Sequence, residues 1–218
     1  MNTGIILAAG NSTRFNQKIP KQLYKINDKT ILSYSVNALS ELDQLIIVTN
    51  SKCAKIIKNQ VIWIDTNKKA PTIKMVINDK DCRLASIKAA LKIIDKHTKN
   101  IIFHDAARPH INKTHIKILL KSSKIYAYSQ YCLKLTNGLI KKNENNIECL
   151  DRDQYLELCT PLIVDYNLFN FIFNTYIDKP NREHYEVLSV IDSFKIPYNL
   201  IEGSHKHLRK ITTPEDIY

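Results

Sequence analysis

Several short stretches of this sequence combine cations, small residues and a carboxylate in ways that suit the handling of phosphates. The first is Leu7-Ala8-Ala9-Gly10-Asn11-Ser12-Thr13-Arg14-Phe15, followed by Pro20-Lys21-Gln22. An apolar run, Gly4–Ala8, opens here into small residues and a glycine. The backbone at Ala8, Ala9 and Gly10 can therefore approach a ligand closely. Successive N–H groups of such a loop can form an anion nest, and Arg14 and Lys21 flank it as cationic arms. The spacing G-x-x-x-x-G-K-[ST] is absent, so this is not a Walker A loop. Taken alone, a glycine after a strand is equally a plain turn.

A second stretch, His104-Asp105-Ala106-Ala107-Arg108-Pro109, follows another apolar run and sets Asp105 at its carboxyl end. A lone carboxylate there suits Mg²⁺, which takes few protein oxygens beside phosphate and water; a turn or cap aspartate is the structural alternative. A third, Asp81-Cys82-Arg83-Leu84-Ala85-Ser86, opens a helix whose first N–H groups carry positive potential. The same pattern also suits a capped surface helix. A fourth, Arg209-Lys210-Ile211-Thr212-Thr213-Pro214, supplies one more cation, Lys210. Lysine outnumbers arginine by 26 to 6, so the arginines are worth locating, because only they offer a planar fork. They are Arg14, Arg83, Arg108, Arg152, Arg182 and Arg209.

These stretches can meet only if an alternating fold brings them to one edge. Gly4–Ala8, Gln44–Thr49, Val61–Asp65, Ile73–Ile77 and Asn100–His104 read as strands. Thr30–Leu42, Ser51–Asn59, Arg83–His97 and Asn112–Ser122 read as helices, the last begun by an Asn cap. The alternation predicts right-handed crossovers and an α/β fold with a mostly parallel sheet. Ligands of such sheets lie beyond the carboxyl ends of the strands. The pattern then changes. Lys124–Tyr131 reads as a strand, and Lys134–Glu148 as a hairpin turning at Asn137-Gly138, with an exposed Lys141–Asn146. Residues 132–150 thus read as a protruding arm. Asp165–Ile177 and Arg182–Phe194 read as helices separated by Pro180, and Asn199–Glu202 as a late strand. No repeat or linker interrupts the chain, which predicts a single domain over 1–218.

Composition narrows the function. The chain has 218 residues with 44% hydrophobic content, ordinary for a globular protein. No apolar run approaches the ~18 residues of a membrane span, and the N-terminus lacks the order of a signal peptide. A cytoplasmic protein is expected. The cysteines, Cys53, Cys82, Cys132, Cys149 and Cys159, are odd in number and show no metal-ligand spacing. The net charge of +11 raises the possibility of a nucleic-acid partner. The lysines are spread along the chain, however, and no nucleic-acid module is present, so none is expected.

The motifs carry a family resemblance. The first stretch resembles the signature L-A-A-G-x-G-x-R-[MF] … P-K-Q of the cytidylyltransferases acting on 2-C-methyl-D-erythritol 4-phosphate (MEP) and ribitol 5-phosphate. It is most similar to the cytidylyltransferase half of the bifunctional MEP-pathway enzymes. Asp105-Ala-Ala-Arg-Pro109 resembles the family's D-A-A-R-P, and Lys210-Ile-Thr-Thr-Pro214 its K-[VI]-T-x-P ending. The resemblance implies a Rossmann-like fold with a β-hairpin dimerisation arm. It implies catalytic roles for Arg14, Lys21 and Lys210, and nucleotide binding by Ala8, Ala9, Gly10, Asp81, Arg83, Ser86 and Asp105, with Asp105 also holding Mg²⁺. Thr136, Arg152 and Thr160 would bind the acceptor, the first two across a homodimer with shared sites. The implied reaction moves CMP from CTP to MEP and releases pyrophosphate; ribitol 5-phosphate as acceptor and a non-catalytic relative are the alternatives. The sequence departs from the family at Ser12, which replaces a second glycine, and at Asp79 and Lys80, which replace a glycine pair. Leu162 stands for a glutamine, Leu135 and Gly138 for charged arm residues, and His207 for an aspartate. The chain stops at Tyr218, where relatives continue.

Overall fold

The computed structural model describes residues 1–15, 19–60, 70–80, 82–144, 146–177 and 187–217. The first half comprises β1 (Asn2–Ala8), a small hairpin of β2 (Lys25–Ile26) and β3 (Lys29–Thr30), α1 (Ile31–Ala38), β4 (Gln44–Thr49), α2 (Ser51–Gln60), β5 (Thr72–Ile77), α3 (Arg83–Leu91) and β6 (Asn100–Asp105). The second half comprises α4 (Lys113–Ser122), β7 (Tyr128–Lys134), β8 (Leu139–Lys142), β9 (Ile147–Leu150), β10 (Leu156–Asp165), α5 (Tyr166–Ile172), α6 (Val187–Ser193), β11 (Tyr198–Glu202) and α7 (His205–Leu208).

Seven strands form one sheet in the order β11-β7-β10-β6-β1-β4-β5. β1 pairs in parallel with β4 and β6, β4 with β5, and β11 with β7, whereas β10 runs antiparallel to both its neighbours. The expected mostly parallel α/β sheet is thus what the chain forms. Every residue of β4 is buried, as the unbroken apolar run of a central strand covered on both faces requires. Ile6, Leu32, Leu39, Leu45, Ile47, Ile102 and Leu119 pack on one face of the sheet. Ile5, Ile46, Val48, Ile87, Phe103, Phe169 and Ile191 pack on the other. Each such side chain contributes roughly 1.5–3 kcal/mol by leaving water. Gly4 lets β1 lie close to its cover, since a Cβ there would stand 2.7–2.9 Å from Leu39, Leu42 and Leu45. No helix among the described residues is long and apolar enough to cross a membrane.

Several expected elements differ in the structure. Val61–Asp65 lies outside the described residues, as do Pro180 and the start of the helix expected from Arg182. The helix expected to run to His97 ends at Leu91. Beyond it, the Ile93 carbonyl accepts from Lys74 Nζ at 3.0 Å and the Asp95 N–H is taken by Gln44 Oε1 at 3.2 Å. Tertiary partners replace helical ones there. Asp165 is a helix cap accepting from Leu168 N, and the helix gives way to a π-helical turn over Phe173–Ile177. β10 was not foreseen. Pro161 argues against a sheet strand, but it sits where the register with β7 shifts between Cys159 and Leu162, so no ladder bond is lost to it.

The Asn137-Gly138 pair does not join the strands that pair with each other. β8 and β9 are antiparallel partners, and their turn is closed by Asn143 N–H donating to the Asn146 carbonyl at 2.9 Å. Gly138 does not adopt the positive φ that a tight Asn-Gly hairpin turn needs.

Candidate active site

The carboxyl ends of β1 and β6 lie side by side, Leu7 in register with Asp105. The loop after each strand, and the segment after α7, converge there on a cleft of about 290 Å³. Its walls include Ala8, Gly10, Ser12, Arg14, Lys21, Asp105, Lys210 and Thr212. A second chamber shares Leu7, Gly10, Asp105 and Lys210 with the first and is closed by Ala9, Lys80, Cys82, Arg83 and Ser86. Three cations and one carboxylate from three separate stretches therefore meet.

The convergence has a local cause at each segment. The Ala106 N–H continues the β1–β6 ladder to the Leu7 carbonyl at 3.1 Å. Arg108 is buried and donates from Nη1 to the Leu208 carbonyl, and the Ile211 N–H donates to the Ala107 carbonyl at 2.8 Å. These two ties bracket Lys210 and aim it into the cleft. Arg108 is thus a structural brace. Lys21 Nζ donates to the Ile211 carbonyl at 2.9 Å, stitching the first loop to the last.

Asp105 is the electrostatic centre. Its side chain is 16% exposed. Lys210 Nζ stands 3.1 Å from Oδ2 and Arg83 Nη2 4.0 Å from Oδ1. Burial alone would raise its pKa, but Lys210, Arg83 and Arg108 outweigh burial and hold it at about 2. The carboxylate is ionised throughout the neutral range. The Lys21 pKa is lowered as well, by burial first, then by Lys210 and Arg14, and for an ammonium that disfavours the charged form. Clustered cations of this kind leave an anion-seeking surface.

Ser12 occupies a turn with φ of 55°, the left-handed region that costs a side chain about 1–2 kcal/mol. Its hydroxyl donates to Gln22 Oε1 at 3.2 Å, while Gln22 Nε2 donates to the Ala8 carbonyl at 3.1 Å. A buried glutamine thereby holds the loop in place of a second glycine's freedom. The other glycine replacements are absorbed similarly. Asp79 accepts the Ser51 N–H at 2.7 Å at the start of α2. Lys80 is held through its backbone by the Asn78 side chain. Leu162 is buried in β10, and the His207 ring packs 5.0 Å from that of His115.

Other expected site residues fall elsewhere. Asp81 lies outside the described residues. Thr160 is buried and its hydroxyl accepts the Asp105 N–H at 3.0 Å, so it braces the carboxylate's backbone and does not line either chamber. Thr136 and Arg152 meet each other in the arm, Arg152 Nη1 donating to the Thr136 carbonyl at 2.5 Å, and line neither chamber. Sequence reasoning met Gln22 only as part of the Pro20-Lys21-Gln22 motif and passed over Asn78 and Cys82 as parts of the site. Asn78 carries no spacing signal, and Cys82 shows its place only once α3 is oriented.

An α/β sheet with a cation-lined cleft at its carboxyl edge defines a fold built to handle a phosphorylated ligand. A family model described as 2-C-methyl-D-erythritol 4-phosphate cytidylyltransferase matches residues 3–218, and the chain belongs to that family. Among its relatives, the Clostridium botulinum (strain Langeland) protein of that name is 29% identical over 99% of this chain and 94% of its own. The Caldanaerobacter subterraneus protein of the same name is 28% identical, over 99% and 95%. Among solved structures, the 4-diphosphocytidyl-2C-methyl-D-erythritol synthase of Anaerococcus prevotii superposes with a TM-score of 0.79 at 20% identity, covering all of this chain and 94% of that one. The bifunctional IspDF of Campylobacter jejuni gives 0.72 at 23%, covering 99% and 53%. At these identities the superpositions establish the shared fold.

Proposed function

We propose that this chain transfers CMP from CTP to 2-C-methyl-D-erythritol 4-phosphate, releasing pyrophosphate. The observation that carries the reading is the meeting of Arg14, Lys21, Asp105 and Lys210 on one cleft. A phosphate oxygen of the acceptor attacks the α-phosphorus of CTP; the new P–O bond forms as the bond to the β-phosphate oxygen breaks, and pyrophosphate leaves with that electron pair. The nucleophile is already anionic at neutral pH, so no general base is needed. What the residues supply is alignment and charge neutralisation, with Arg14, Lys21 and Lys210 around the triphosphate. Ala8, Ala9 and Gly10 offer backbone along it, and Arg83 and Ser86 face the nucleoside end.

The donor set fits Mg²⁺. No group of three or more His, Cys, Asp or Glu side chains among the described residues could hold a metal by itself. A single ionised carboxylate, Asp105, faces the cleft, as suits a cation bound mainly by phosphate and water. Bound there, Mg²⁺ would neutralise triphosphate charge.

The reading extends to a homodimer. The hairpin of β8 and β9 exposes Ile140 and Ile147, at 53% and 66%, and the chain just after it exposes Tyr155 and Leu156. Such an apolar set suits burial against a second copy, which would bring Thr136 and Arg152 to a neighbouring acceptor phosphate. All five cysteines are free thiols, in keeping with action in the cytoplasm.

A coupled pyrophosphate-release assay with CTP and Mg²⁺ tests the reading, with MEP and ribitol 5-phosphate offered in parallel and a chelator added in a further arm. Release with MEP that stops on chelation is expected. Release with ribitol 5-phosphate alone would reassign the acceptor. No release with either would leave a binding protein on this fold.

A further inference from the structure

Asp105 is contested from both sides. Among the described residues it is the only carboxylate lining either chamber, set against Arg14, Lys21, Lys80, Arg83 and Lys210. Lys210 Nζ donates to Oδ2 at 3.1 Å, and Arg83 Nη2 stands 4.0 Å from Oδ1. Each carboxylate oxygen thus faces a cation, and only 16% of the side chain is exposed. A metal ion bound by Asp105 must share or take a place that an ammonium already holds.

The members of this cluster differ in their freedom to move. The Asp105 backbone is fixed: its N–H donates to the Thr160 hydroxyl at 3.0 Å, and Leu7 pairs with it in the sheet. The backbone around Lys210 is fixed too, through the Leu208 carbonyl to Arg108 and the Ile211 N–H to Ala107. The Lys210 side chain, however, is 44% exposed. It is a flexible four-carbon stem that ends in a compact, strongly hydrated charge. Lys210 is therefore the member able to leave. Lys21 does not stand in for it, because Lys21 Nζ is engaged with the Ile211 carbonyl at 2.9 Å.

We propose that Lys210 is a place-holder for the metal: paired with Asp105 it keeps divalent cations off the carboxylate, and a triphosphate that draws it away opens the carboxylate to one. The inference rests on the reading of Asp105 as the Mg²⁺ ligand and of Lys210 as a triphosphate partner. Before nucleotide binds, a divalent cation meets a surplus of positive charge at close range, where repulsion inside a cleft is far stronger than in water. A triphosphate reverses that balance. It offers Lys210 several competing oxygens and brings enough negative charge to attract the cation that was repelled. Metal and nucleotide then strengthen each other's binding, as linkage requires. The pairing also spares the protein a half-buried carboxylate without a counter-ion.

The test is direct binding of Mn²⁺ to protein without nucleotide, read from the loss of the free-ion electron paramagnetic resonance signal. Lys210→Ala should tighten Mn²⁺ binding at least about tenfold relative to the unaltered protein, although it removes a residue the reaction needs. The gain should vanish when Asp105→Asn is added. Lys21→Ala, which removes a neighbouring cation and leaves Lys210 on Asp105, should change Mn²⁺ affinity less than about threefold. Lys210→Met repeats the measurement with a stem of similar length, in case the alanine variant folds poorly. Lysine variants that bind Mn²⁺ no better than the unaltered protein would overturn the proposal. So would a gain that survives Asp105→Asn, which would put the ion elsewhere, or an equal gain in Lys21→Ala, which would reduce the effect to overall charge. The functional reading fails separately: if the Mn²⁺ pattern holds but CTP yields no pyrophosphate with either acceptor, the place-holder stands and the transferase does not.

Discussion

The cleft and the arm are built in opposite ways. The cleft is made from the ends of buried central strands, and its key contacts join residues distant in sequence: Lys210 to Asp105, Lys21 to Ile211, Arg108 to Leu208. The arm is a local two-stranded hairpin whose described side chains are mostly exposed. Its ion pair, Lys141 to Glu148 at 3.9 Å, has both side chains more than half exposed and is worth little in water. The cleft's geometry is enforced by the core; the arm's rests on its own short ladder and, under the homodimer reading, on a second copy. Changes in the cleft should therefore alter chemistry at constant assembly, and changes in the arm should alter assembly first.

The largest effect is expected at the cations. Lys21→Ala or Lys210→Ala should lower kcat by roughly 10²–10³, about 3–4 kcal/mol, while the protein stays folded. Steady-state kinetics with thermal unfolding as control will decide it, and near-normal turnover would remove that lysine from the reaction.

Acid should also separate the two regions. His104 is fully buried beside Asp105, and burial lowers its pKa to about 4. The neutral ring is the stabilising form. Its contribution is present above pH 6.5 and is lost as pH falls from 6.5 toward 4, about 3 kcal/mol in all. Asp105 adds a further loss between 3.8 and about 2. Urea titrations at several pH values should show stability falling below pH 6.5. His104→Leu should flatten the segment between 6.5 and 4.

In the arm, Ile147→Glu should raise the dimer dissociation constant about tenfold or more while costing the chain's own fold less than about 0.5 kcal/mol. Light scattering across a dilution series measures the first and circular dichroism the second. A monomer at every concentration would end the homodimer reading, and a dimer of undiminished strength would place the proposed interface elsewhere.

The smallest effect lies in the first loop. Ser12→Gly relieves a left-handed serine but gives up its bond to Gln22, so a gain of less than about 1 kcal/mol is expected. Denaturant midpoints will show its sign. A loss would mean that the Gln22 bond outweighs the strain.

Much of the cleft was legible because charge and small residues sit just past apolar runs. Gly4–Ala8 and Asn100–His104 predicted two strands, and their carboxyl ends fixed where Arg14, Lys21 and Asp105 would gather. Lys210 was legible only through the family's ending, since its place depends on ties from Arg108 and Ala107 that no local pattern encodes. β10 was hidden by Pro161, whose meaning reverses once a register shift accommodates it. Thr160 read as a substrate ligand because Thr160-Pro161 resembles a Thr-Pro-Gln of the family; here its hydroxyl accepts from the Asp105 backbone. Asn78 was invisible, because a neutral amide reveals its task only through the atoms around it.

The bare position at Gly4 has a consequence for the chemistry at the other end of β1. Three leucines close over the strand because residue 4 has no side chain. A methyl group added there would have to push the ends of all three aside, beneath the same strand that carries Leu7 and Ala8 to the cleft.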